Sequence, residues 1–427
     1  MSHTPPTTGA RAVLASGILL GVVVLAAMAL ERSHMLAANF EVYRVAAEAA
    51  LAGEDFYAVA PDRFPDFYYL YPPITIVPFL PFAFVGLPAG FAIHTALEIG
   101  VGLALAWVIV RWIDRHRSLE RLDRVLVAGF VVGSIHAVPS LVYGQVNLRM
   151  ALLVGVGLFL LERSRGCDPI GGADSAGTSG GRWTSARLET VAGIALAGAA
   201  LLKVFPAAIG VWLLRLRAWR AVAGALVTGL GGLALGAAVF GTGATRTFFL
   251  EALLPRDDAD AFVGGLDPTA SYVTVRRPLS ALFPGLEPVA TTALAAALLL
   301  VPLAYVYTRM ETPVDRLLGA HATVVAIFVF FPSYPLYYVL AFATLVPALY
   351  LAVDPLARRL LVAGALLANV VLLGGTLESI VAAVPPGIGD PLGTIGFAAL
   401  TVSTPVLAGS LVMLAGCVVH RYRRVRT

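Results

Sequence analysis

Long apolar runs recur along this chain, and short polar clusters separate them. The first run, Ala12 to Leu30, is long enough to cross a bilayer, which takes about 20 apolar residues as a helix. Ile74 to Gly86 is shorter and holds Pro78 and Pro81, so it reads as a broken or half-inserted helix. Full spans are predicted at Phe91 to Val110, Val125 to Val142 and Leu148 to Leu161. Val191 to Leu202 and Val204 to Leu214 form a hairpin of two short pieces, with Lys203 near its outer tip and Pro206 beside it. Ala221 to Phe240 follows, then 289–307, 317–331, 336–352, 357–375 and 397–418. The pattern predicts an all-α polytopic membrane protein of about 12 or 13 helical segments, organised as one transmembrane domain over 1–427.

The polar clusters orient these segments. Basic residues in short loops mark the cytoplasmic side. Arg111, Arg115, Arg117, Arg121 and Arg124 lie in one such loop, and Arg215, Arg217 and Arg220 in another. Arg309, Arg316, Arg358, Arg359 and the tail HRYRRVRT complete the inner set. Residues 162–189 are Gly/Ser-rich with Arg163, Arg165, Arg182 and Arg187, and are expected to be a flexible cytoplasmic linker. The outer side then holds the loop 31–73, the turn YGQVN (143–147), a second large loop at 241–288, FPSYP (331–335) and 377–396. The two large polar loops share one face. This suits a one-sided active site better than alternating access, and the sequence shows no paired broken helices of the kind inverted transporters carry.

Composition supports the membrane reading. Charged residues make up 13% of the chain, against about 25% in soluble domains. The net charge of +4 resides in the inner loops, so it signals topology and not a nucleic-acid partner. Cys167 and Cys417 have no metal-ligand spacing, and the His residues form no HExxH motif. Neither metal nor cofactor is expected.

The first outer loop is the most unusual stretch. Asn39 to Pro73 is polar and aromatic, and ends YLYPP. Within it, Val42, Val45, Ala46 and Ala49 have helical spacing and Gly53 is a natural stop, so an amphipathic surface helix is expected.

NFEVYRVAAEAALAGEDFY followed by YLYPP, YGQVN opening a span, the Lys-x-x-Pro of LLKVFPA, RAWRA and the outer-loop RRPLS together resemble glycosyltransferase family 87. The resemblance implies a GT-C-like fold. It also implies transfer of a sugar, mannose in that family, from a polyprenyl-phosphate donor to a lipid or glycan acceptor on the extracytoplasmic face of the cell membrane. The family's base is an Asp in an Asp-aromatic-x-Val-Tyr pattern. Here that position is Asn39, and the nearest acid is Glu41.

The chemistry selects candidates. Displacing a lipid phosphate needs a carboxylate to take the acceptor's proton and positive charge to hold the leaving group. Glu41 is the candidate base; Arg276, Arg277 and Lys203 are candidate phosphate ligands, since guanidinium forks match phosphate oxygens and an ionisable group in an apolar segment is functional by default. Asn39, Tyr43, Tyr71, Gln145 and Asn147 are candidate substrate contacts. Each has a plainer reading: Glu41 solvates a surface helix, the Arg pair anchors at the interface, Lys203 snorkels, and Tyr68, Tyr69 and Tyr71 form an aromatic belt. A transporter or flippase of a lipid-linked sugar is the second function class, and an inactive membrane scaffold the third.

Overall fold

A computed structural model describes residues 7–166, 184–254 and 259–426. The described chain is helical, with one isolated bridge, Val273 to Ser333. The first span is α1 (Thr8–Glu31). The expected surface helix is α2 (Ala38–Ala52). Gly53 ends it at φ 75, where the Gly53 and Glu54 N–H groups donate to Ala50 O and Ala49 O, a glycine-closed helix end. Pro73–Phe84 winds as a 3-10 run, because Pro78 and Pro81 supply no N–H to an α-helical ladder. Then come α3 (Leu87–Asp114), α4 (Arg121–Gly133) and α5 (Ala137–Tyr143), the last two meeting at 44°.

After the turn at Gly144 the chain continues in α6 (Asn147–Arg165) and α7 (Ser185–Leu202). Cys167, Arg182 and most of the expected linker lie outside the described residues, whereas both ends of 162–189 are helical. Lys203 breaks the chain before a 3-10 turn (Phe205–Ile209), α8 (Gly210–Arg215) and the long α9 (Trp219–Thr247). Later helices are α10 (Arg276–Leu282), α11 (Pro288–Tyr307), α12 (Pro313–Phe330), α13 (Phe342–Leu351), α14 (Pro355–Ala368), α15 (Gly374–Ala383), α16 (Pro386–Val402) and α17 (Pro405–Arg426).

Seven described helices are long and apolar enough to span a membrane, or eight if the bent α4–α5 pair is one span. Three sequence expectations change. The span predicted at Ala221 to Phe240 does end there, at a kink where Gly241 has φ 87 and ψ 155, but helical structure resumes beyond it, inside the expected loop 241–288, to Thr247, and a π-helical turn runs on to Leu253. The loop also contains α10. The segment 397–418 is not one span, because Pro405 starts a new helix after Ser403 and Thr404, residues too mildly polar to interrupt an averaged hydropathy. Residues 377–396, expected as loop, belong to α15 and α16.

The described contacts group into two units. The first comprises 1–36, 113–142 and 254–427. Its centre is α12 and α13, both almost wholly buried. Thr312 and Asp315 form a capping box at the start of α12, and His420 Nε2 lies 3.0 Å from Asp315 Oδ1. Asp123 accepts from Arg11 Nε at 2.8 Å and from the Tyr350 hydroxyl at 2.9 Å. The second unit comprises 37–112 and 143–253. There α2 packs on the 3-10 run, and α6, α7 and α9 pack side by side. Gly193 and Gly224 let α7 and α9 approach, since a Cβ on either would meet the carbonyl of the facing helix.

Candidate functional site

Five of the residues singled out in the sequence meet in the second unit. Lys203 follows the last residue of α7 and is 5% exposed. Its Nζ donates to Asn147 Oδ1 at 2.9 Å and to Gln145 Oε1 at 3.4 Å. The Tyr43 hydroxyl donates to the same Gln145 oxygen at 3.4 Å and lies 3.2 Å from the Tyr71 hydroxyl. Nζ also sits 5.9 Å from the Tyr71 ring centroid. One buried ammonium is therefore oriented by two carboxamide oxygens and flanked by phenols.

Local structure explains the convergence. Gly144, at φ 72, turns the chain tightly against Phe40; a Cβ there would strike the Phe40 side chain at 2.6 Å. This seats Gln145 and the first turn of α6 under α2. Tyr71 is fixed from the other side, where the Tyr57 hydroxyl donates to its carbonyl at 2.6 Å. Tyr69 is fully buried and its hydroxyl lies 2.7 Å from Thr75 Oγ1; burial pushes its phenol well above the ordinary range, so it is a neutral packing group.

Glu41 lies on another side of α2. Asn39 and Tyr43 are four residues apart and share a helix face. Glu41 stands about 200° round from each. Its Oε2 lies 3.1 Å from Nη1 of Arg63, an exposed residue, and the Glu41 side chain is 12% exposed. Asn39 is half-buried.

Arg276 and Arg277 belong to the first unit, where α10 begins. Arg277 is wholly buried, and its guanidinium donates to the carbonyls of Tyr272 (3.2 Å), Leu400 (2.5 Å) and Ala270. Burial lowers it to about 10, still a cation at neutral pH. These bonds tie α10, the preceding loop and α16 together. Arg276 lies 5.5 Å from the Phe330 ring and 5.9 Å from the Phe262 ring. Among the described residues no group of three or more His, Cys, Asp or Glu could hold a metal ion.

A model of glycosyltransferase family 87 matches residues 69–332. The chain belongs to that family. With its seven apolar helices it is a multi-pass membrane glycosyltransferase. No curated protein and no solved structure matches it. Within the family match lie Tyr71, Gln145, Asn147, Lys203, Arg276 and Arg277; Asn39, Glu41 and Tyr43 precede it.

One part of this glycosyltransferase's second unit escaped the sequence reading. Arg149, in the first turn of α6, forms an ion pair with Glu98 Oε1 of α3 and lies 3.3 Å from His94 Nδ1. Its guanidinium also stands 5.7 Å from the Phe79 ring, and Phe79 packs on Tyr43 at 4.5 Å between centroids. Glu98 and His94 are buried within an apolar span. The signal was present: two ionisable groups at i and i+4 inside a span, open to the same inference that singled out Lys203.

Proposed function

We propose that this glycosyltransferase moves a hexose, mannose by the family resemblance, from a polyprenyl-phosphate donor to a lipid or glycan acceptor at the extracytoplasmic face of the cell membrane. The supporting observation is the buried Lys203 ammonium, oriented by Asn147 and Gln145. A positively charged ammonium held by fixed hydrogen bonds matches the oxygens of a phosphate. In the proposed step the acceptor hydroxyl oxygen bonds to the anomeric carbon as the bond from that carbon to the phosphate oxygen breaks. Polyprenyl phosphate leaves with the electron pair, stabilised by Lys203. The hydroxyl proton passes to the Glu41 carboxylate, the sole acid in the first turn of α2. Asn39, on the face it shares with Tyr43, orients the substrate by hydrogen bonds. Arg277 acts as a brace for its loop.

The test is transfer of labelled mannose from polyprenyl-phosphate mannose in proteoliposomes. Glu41→Gln is expected to abolish transfer with the fold kept, and Lys203→Ala to raise the donor KM about tenfold or more. Full transfer by Glu41→Gln removes Glu41 as base; no transfer by the unmodified protein favours an inactive scaffold. A transporter of lipid-linked sugar is the second reading, favoured by Glu98, an ionisable group inside the α3 span paired with Arg149 of α6, since intramembrane ionisable groups mark substrate paths. Movement of the labelled lipid between leaflets without sugar transfer would select it.

A further inference from the structure

The first unit carries a groove of about 400 Å³ in the seam between the start of α1 and the first half of α14. That volume is within the range of ligand pockets. The two helices are fixed against each other on their own account. Gly9 lines the groove, and a Cβ there would come within 2.9 Å of Val362. Further along the pair, Asn369 Nδ2 donates to the Val13 carbonyl at 2.9 Å and to Ser16 Oγ at 3.0 Å. The groove is therefore preformed.

Arg358 and Arg359 line it, and neither guanidinium has a hydrogen-bond or ion-pair partner among the described residues. Several other basic side chains of this unit are matched: Arg11 pairs with Glu120 and Asp123, Arg124 with Asp114 and Arg424 with Asp315. The acid nearest in sequence, Asp354, is already committed. Its Oδ1 caps α14 by accepting from the Ala357 N–H at 2.8 Å, and its Oδ2 lies 3.5 Å from Arg423 Nη1. Residues 1–6, MSHTPP, lead into α1 and contain no acid. Two cations thus line one groove without a counter-charge among the described residues.

The remaining lining is apolar and placed by register. Val362 and Ala363 follow Arg358 and Arg359 by one turn, and Leu366 follows by two, so they share a face of α14. That face passes from two guanidinium groups to aliphatic surface over seven residues, about 10 Å of helix. Arg359, Ala363 and Leu366 are exposed on it. The face of α14 toward α17 is closed, since a Cβ on Gly364 would meet the Gly409 carbonyl at 2.5 Å. A soluble anion matches only the charged end of the groove and a hydrocarbon only the apolar end. A molecule with an anionic head and an aliphatic body matches both. Arginines that merely mark the inner side of the membrane need no groove beside them.

We propose that the groove between α1 and α14 binds an anionic phospholipid, with its phosphodiester at Arg358 and Arg359 and its glycerol and first methylenes along Val362, Ala363 and Leu366. Guanidinium forks match phosphate oxygens, and basic pockets between transmembrane helices are sites for anionic headgroups. The arginines supply the choice of headgroup, and the aliphatic face separates a lipid from a free phosphate. The guest is a bilayer lipid and not the sugar donor, so the proposal stands apart from the transferase reading.

Native mass spectrometry of the full chain in detergent tests this by counting bound lipid during a titration with phosphatidylglycerol. Phosphatidylcholine is the zwitterionic comparison and inorganic phosphate the soluble anion. The groove variant is Arg358→Gln with Arg359→Gln. The control is Arg115→Gln with Arg121→Gln, which removes the same charge from exposed arginines that do not line the groove. Neither pair has a side-chain partner to lose among the described residues, so both variants keep the fold. We expect one saturable phosphatidylglycerol site, weakened about tenfold or more in the groove variant and by less than about twofold in the control. Unchanged binding by the groove variant overturns the inference, and so does equal weakening by the control, which would make the effect one of general surface charge. Phosphatidylcholine bound as tightly as phosphatidylglycerol makes the groove a crevice filled by any lipid and overturns it too. Displacement of phosphatidylglycerol by millimolar inorganic phosphate reduces the site to one for a free anion, and dimers in place of lipid adducts make it a contact between copies; either result overturns the inference.

Discussion

Replacing Glu98 by Leu isolates what the buried ion pair contributes. The Glu98 side chain is 1% exposed and that of Arg149 is 20% exposed, so the pair is largely removed from water. Opposite charges about 4 Å apart attract by roughly 4 kcal/mol at an effective dielectric of about 20. Breaking a buried pair by deleting one partner costs about 3–5 kcal/mol, because the other charge is stranded. An ordinary interhelical hydrogen bond in a membrane contributes only about 0.6 kcal/mol. The two accounts differ enough to be separated.

A double-mutant cycle of Glu98→Leu, Arg149→Leu and the double variant, followed by reversible unfolding in mixed micelles, measures the coupling. We expect each single variant to be destabilised by about 3 kcal/mol and the double variant by clearly less than their sum, a coupling of about 2 kcal/mol or more. Asn147 shares the first turn of α6 with Arg149, so Glu98→Leu should also raise the donor KM. A coupling below about 0.6 kcal/mol would mean that the pair is no more than a polar contact. Such a result would rule out the pair as an anchor of α6 on α3.

Two further outcomes are expected. Arg277→Gln should lower the yield of folded protein in detergent, since the carbonyls of Tyr272, Leu400 and Ala270 lose a buried donor at about 1–3 kcal/mol each; full yield with lost donor binding would instead make Arg277 a phosphate ligand. Ser118→Cys should be labelled by a membrane-impermeant thiol reagent only after the cells are opened, and labelling of intact cells would reverse the orientation read from the basic loops.

Much of the architecture was legible because lipid imposes a simple rule: a spanning segment must be apolar and helical. The first span, the proline-broken run at 73–84 and the surface helix closed by Gly53 all appear where the pattern placed them. What hydropathy could not resolve were breaks made by weakly polar residues. Thr404 and Pro405 sit inside an otherwise apolar stretch, and only the lost N–H of Pro405 reveals that α16 and α17 are separate. At the site, Lys203, Gln145 and Asn147 stood out as polar residues next to apolar runs, but their contact is long-range: Gln145 and Lys203 are separated by 58 positions. Arg149 follows the polar turn at 143–147 by two positions and Glu98 lies 51 positions before it inside α3, so their pairing is likewise long-range.

The faces of α2 set the constraint on any mechanism for this chain. The helix begins at Ala38, directly after Ala37, which adopts φ 64 and therefore turns the backbone sharply into the helix. Because Asn39 to Tyr43 is already helical, side-chain direction is fixed by register. Phe40, Tyr43, Ala46 and Ala47 are buried, and Asn39 falls among them on the wheel. An acid at position 39 would face the side that carries Tyr43, Gln145 and, through them, Lys203. Glu41 cannot reach that side by extending its side chain, since one extra methylene adds little against a rotation of about 200°. For Glu41 to be the base, the acceptor hydroxyl must approach along the edge of α2 held by Arg63 while the phosphate lies toward Lys203. The reacting sugar would then bridge two faces of one helix. That geometry makes Asn39→Asp informative. If the Tyr43 face is where the proton is taken, this substitution should restore transfer to a Glu41→Gln variant. If the Arg63 edge is where it is taken, Asn39→Asp should leave that variant inactive.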